Sequence, residues 1–111
     1  METFMKLSTL LAASAVTFLP ALVVAQDNVA KEAFTEVHHK MMADMEKLQA
    51  TGNADKDFVT MMIPHHQGAI DMAKAQLEHG KDEKLKAMAQ KMIDDQQKEI
   101  KEMQAWLAAN Q

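Results

Sequence analysis

Met61-Met62-Ile63-Pro64-His65-His66-Gln67-Gly68-Ala69-Ile70-Asp71-Met72-Ala73 is the stretch on which the fold of this chain turns. Around it, Phe58, Met61, Met62, His65, Ala69, Met72, Ala73 and Gln76 recur in steps of three and four, the period of one broad helical face. The spacing predicts a helix that begins near Asp55 or Asp57 and runs to about His79, with Gly80 as its stop signal. Pro64 falls well inside. It removes the hydrogen bond to the Thr60 carbonyl and crowds it, so a kink is expected just before His65 and His66.

Working outward, the same period recurs on both sides, and no segment alternates with the period of a strand. Phe34, Val37, Met41, Met45 and Leu48 form one stripe in a helix expected from about Asn28 to Ala50, capped by Asp27 or Asn28. Gly52 suits the left-handed position that ends such a helix. A third helix, about Asp82 to Ala108, carries Leu85, Met88, Met92, Ile100, Met103 and Leu107 on one face, with Trp106 at its edge. The fold class expected is therefore all-α, a small helical bundle of three helices. So few residues bury a thin core, which calls for a metal or a partner chain. The arrangements open to it are a closed three-helix bundle or a larger bundle formed by a homodimer.

Residues 1–25 read as a signal peptide, leaving residues 26–111 as one Met/His-rich metal-binding domain. Lys6 precedes an apolar run from Leu10 to Val24, and Val23-Val24-Ala25 ends it before Gln26, so cleavage is expected after Ala25. The competing reading is an uncleaved anchor, for which the apolar run is short. Export to an oxidising compartment such as the periplasm disfavours free thiols. The chain has no Cys, while residues 26–111 hold nine Met and all five His. Thiolate nucleophiles, disulfides and Cys-type zinc sites are thereby excluded. The net charge of −4 gives no reason to expect nucleic acid as a partner. Nor is there a Ser nucleophile elbow, a Gly-rich phosphate loop or a His-Glu-x-x-His pair, and no enzyme is expected.

Helical neighbours lie three and four residues apart. Met62 is thus adjacent to His65 and His66, and Met61 to His65. On the first helix His38 neighbours Met41 and Met42, His39 neighbours Met42, and Met42 neighbours Met45. Soft thioethers select Cu(I), and imidazole accepts Cu(I), Cu(II) or zinc, so the mixed set points to copper. Met72 lies two turns beyond His65, roughly 10.5 Å along the axis, within conditional reach of the same ion. Adjacent residues diverge by about 100°, so one His of each pair can face solvent. The plainer reading of Met88, Met92 and Met103 is core filling by a flexible thioether, and that of His79 is a structural or solvated ring. Glu36 and His39 form the Glu-x-x-His spacing of di-iron carboxylate bundles. The second copy such a centre needs is absent, and only a homodimer would supply it.

The string from Asp57 to Ala73 also resembles the hallmark of the family known as domain of unknown function 305. Gln96-Gln97-Lys98-Glu99-Ile100 with Met103-Gln104-Ala105-Trp106-Leu107 resembles its closing helix, and the Met-rich first helix does so loosely. The resemblance implies a ferritin-like helical fold and an exported, usually bacterial, protein. Some members resemble periplasmic copper-binding proteins of the CopM type, linked to copper tolerance. The ligands so implied are Met61, Met62, His65, His66 and Met72, with Met41, Met42 and Met45 on the first helix; His38 and His39 rest on spacing alone. Many members carry the unit twice, whereas this chain carries it once, so the implied site calls for a partner chain. The resulting expectation is a periplasmic protein that sequesters copper or exchanges it with a donor or acceptor protein. The alternatives are a dimeric di-metal carboxylate oxidase and a helical module without metal.

Overall fold

The computed structural model describes residues 20–111. Three helices make up the fold: α1 (Pro20–Glu46), α2 (Ala54–His79) and α3 (Glu83–Ala109). The chain is all-α, as the periodicity predicts. Most of the expected signal peptide lies outside the described residues, and residues 20–25 form the first turns of α1. α1 therefore runs straight through Asp27 and Asn28 instead of being capped there. No described helix is long and apolar enough to cross a membrane.

The α1–α2 loop is built by side chains that satisfy exposed backbone donors. α1 stops at Glu46 rather than Ala50, so Gly52 does not close the helix. Its positive φ of 90° instead serves a turn further along the loop. Asp57, in the first turn of α2, folds back on that turn. Its carboxylate accepts from the Thr51 amide at 2.8 Å, the Thr51 hydroxyl at 2.7 Å and the Gly52 amide at 3.0 Å. The Asn53 side chain caps α2 by accepting from the Lys56 amide at 3.1 Å. Asp82 does the same for α3, accepting from the Leu85 amide at 2.9 Å.

The donors from Thr51, followed by Gly52, hold the Asp57 carboxyl below the ordinary Asp value of 3.8. A carboxyl whose folded pKa is depressed stabilises the fold fully above its unfolded pKa, and that stability is lost as pH falls through the folded value. Asp57→Ala is accordingly expected to lower the melting temperature near neutral pH. The gap from the unmodified chain should begin to narrow as the pH falls past 3.8 and close below the lower folded value. Thermal melts of both proteins across an acid pH series check this, and a gap independent of pH would refute it.

α2 is the central helix, with α1 and α3 packed on it but not on each other. This corrects the single broad face read from the sequence. A central helix buries two opposite flanks, and residues two apart fall about 200° from each other. Ile70 is 2% exposed and packs with Ala73, Ala89 and Ile93 on the α3 side, with Leu77 and Ile100 beside them. Gly68 turns to α1, where a Cβ in its place would stand 2.5 Å from the Met41 sulfur. The buried residues of α2 are thus Val59, Gly68, Ile70, Ala73 and Ala75. Phe58 and Met72, which belong to that face, are 60% and 42% exposed. In the first half of α3 the register is likewise displaced by one: Ala89 and Ile93 are buried, while Leu85, Met88 and Met92 are about half exposed; further along, Ile100, Met103 and Leu107 are half-buried as expected. On α1 the expected stripe survives, with Val37, Met41 and Met45 half-buried. α2 is helical on both sides of Pro64, which does not end it.

Candidate metal centre

The two histidines after Pro64 take different sides of α2. His65 is exposed, whereas His66 is half-buried and turned toward α3. Its Nδ1 lies 3.0 Å from the Met62 carbonyl oxygen. A carbonyl only accepts, so Nδ1 carries a proton and Nε2 is the nitrogen left to work with. Nε2 lies 2.5 Å from a Glu99 carboxylate oxygen on α3.

His66 and Glu99 share a cleft of about 640 Å³ with Met103, Trp106, Glu102, Phe58, Val59 and Asp55. The antiparallel run of α2 and α3 explains this grouping. The start of one helix meets the end of the other, and Glu99, Glu102, Met103 and Trp106 recur on one side of α3 at steps of three and four. The cleft therefore offers an imidazole nitrogen of fixed tautomer, a thioether-bearing side chain, carboxylates and an aromatic wall.

The expected Met62, His65 and His66 nucleus is therefore divided. Met61 and Met62 are half-buried, and neither lines the cleft with His66. Met72 lies in a separate apolar groove with Phe34, Leu85, Met88 and Met92, not beside His66. Met41 is spent on the close contact with Gly68. Met42 is 44% exposed and Met45 half-buried. The His38 and His39 rings stand 6.3 Å apart, both exposed. His39 lies with Glu36, Glu32 and Lys31 in a shallow outer depression of α1, so the Glu-x-x-His pair opens to solvent. Among the described residues, no three His, Asp or Glu side chains converge as a metal site.

Sequence reading assigned Met103 to packing and met Glu99 only within the string that resembles the family's closing helix. The available signal was the place of Glu99 seven residues after Met92, on the otherwise apolar stripe read for α3. Its partner, 33 residues earlier on another helix, carries no local spacing by which to find it.

A sequence model of the family described as Domain of unknown function (DUF305) matches residues 5–107. The uncharacterized protein L153 of Acanthamoeba polyphaga mimivirus is 43% identical over 53 residues, which is 48% of this chain. Those residues make up 35% of that viral protein, so the chain spans about a third of its curated relative.

Proposed function

The chain belongs to the DUF305 family, and from that premise we propose that it binds copper, as an exported protein that sequesters the ion or passes it on. The observation that carries this reading is the His66 ring. It is locked by Met62 so that Nε2 points into a cleft shared with Met103. Fixing one ring nitrogen on a backbone carbonyl is how proteins orient a metal-binding histidine. Thioether and imidazole together favour copper, and Cu(I) above the harder ions. Loading then requires the Nε2 atom of His66 to leave Glu99 for the ion, through the neutral ring that ligates a metal. Glu99 is an exchangeable partner of the ring, half exposed and free to swing into water. The Met and His residues of α1, with His65 and Met62, provide further soft donors along the route of the ion.

The test is elemental analysis of the protein purified from copper-supplemented cells, followed by competition with a Cu(I) chelator. Copper close to one ion per chain, and a melting temperature raised by Cu(I), are expected. Protein free of copper, and unmoved in its melting temperature by the added ion, would dismiss the reading.

A further inference from the structure

The cleft that holds His66 is far larger than an ion requires. Its volume is about 640 Å³, whereas one water takes up roughly 30 Å³ of liquid. A metal and its donor atoms at the His66 end leave most of that space open. On α2 the lining runs from Asp55 to His66, or roughly 16 Å of helix. A volume within ~300–1,000 Å³ is that of a small-molecule site. Away from His66 the cleft has aromatic walls and acidic edges. Phe58 of α2 and Trp106 of α3 both line it, and Phe58 is so exposed that core packing does not account for its place. Asp55, Glu99 and Glu102 line it too, and among the described residues no Lys does. Lys98 comes within 3.8 Å of Glu102, but both side chains are exposed, and such a pair is weak.

We infer that the Phe58–Trp106 end of this cleft binds an organic ammonium cation, a small amine or quaternary ammonium with an apolar body. The face of an aromatic ring attracts a cation, and Trp does so best. The ring walls also suit the carbon atoms that surround such a charge, which a bare ion lacks. Carboxylates of one sign along a low-dielectric cleft focus the field and raise the local concentration of cations. They repel an anion, and a neutral apolar ligand has no use for them. Hard inorganic cations fit less well, because they take a shell of six or more oxygens, and no three acidic or His side chains converge among the described residues. The ligand class is thus set by two features together, the rings for its body and the acids for its charge.

This site does not rest on copper, and its test is run with a copper chelator present. The probe is benzyltrimethylammonium, set against benzyl alcohol and benzoate as a neutral and an anionic body of related shape. Trp106 is the only Trp and the chain has no Tyr, so its fluorescence reports on the cleft directly. A saturable change in emission is expected with the cation, binding about ten-fold weaker with the alcohol, and no response to benzoate. Calorimetry then follows two variants. Trp106→Leu is expected to weaken binding of the cation about ten-fold, the size of one cation–π contact. Asp55→Asn with Glu102→Gln is expected to weaken it about as much and to flatten its dependence on salt. Both acids are exposed, so the second variant keeps its helicity and decides the matter even where Trp106→Leu disturbs packing. No change of emission at millimolar cation, equal affinity for the cation and the alcohol, or full affinity in the Asp55/Glu102 variant would overturn the proposal. Copper loading without ammonium binding would remove this site and leave the copper reading standing, and ammonium binding without copper would do the reverse.

Discussion

Ile70→Ala is expected to cost about 2–5 kcal/mol of folding free energy, the usual penalty for truncating a buried aliphatic side chain. Ile70 is the largest fully buried side chain among the described residues, and it packs in one cluster with Ala73 of α2 and Ala89 and Ile93 of α3. Its neighbours are small or lie on separate helices, so they cannot collapse into the space without moving α3. A domain of this size loses several degrees of melting temperature per kcal/mol, which makes the expected drop roughly 15 °C. Lys74→Ala, on the same helix but exposed, is expected to change stability by less than about 0.5 kcal/mol. Thermal melts of the two variants decide the matter. Equal, small shifts would mean that α3 is not held on α2 through Ile70.

Ile70 also shows where sequence reading stops. Three- and four-residue steps made the three helices legible, and Asp82 and Gly80 fixed the α2–α3 boundary almost to the residue. Periodicity describes one helix at a time, however, and it assumes one buried side. α2 has neighbours on two sides, so its buried residues are the small and β-branched ones that let helices approach: Val59, Gly68, Ile70, Ala73 and Ala75. The conspicuous Met and Phe stripe falls between those flanks, where a large side chain is not crowded. The same reasoning covers the displaced register of α3, where the small Ala89 lies against Ile70 and the larger Met88 and Met92 are left outside. On the candidate centre, local spacing pointed to α2 and to His66, the ring that lines the cleft. It also allowed one His of the pair to face solvent, but it could not say which, nor that Glu99 and Met103 arrive from another helix, because those pairings depend on how α3 docks.

The division of the histidine pair leads to an ordered set of copper affinities. His66→Ala removes the one imidazole nitrogen aimed into the cleft, and Cu(I) affinity is expected to fall about 100-fold. This is the upper end of the loss seen when even the groups behind a metal ligand are changed. Met103→Leu keeps the apolar volume and removes the sulfur. Packing should tolerate that swap at under about 1.5 kcal/mol, while Cu(I) affinity drops about 10-fold, or roughly 1.4 kcal/mol. Glu99→Ala should act in the opposite direction. The carboxylate must release Nε2 before the ion binds, and a charge-assisted hydrogen bond at a half-exposed position is worth about 1 kcal/mol, so its loss should strengthen Cu(I) binding about five-fold. Competition titrations on the three variants, with helicity checked by circular dichroism, give the ranking. If His65→Ala weakens binding and His66→Ala does not, the centre belongs on the solvent side of α2. A weakening in Glu99→Ala would instead make the carboxylate a ligand of the ion, and would favour Cu(II) over Cu(I) as the ion held, since carboxylate oxygen is the harder donor.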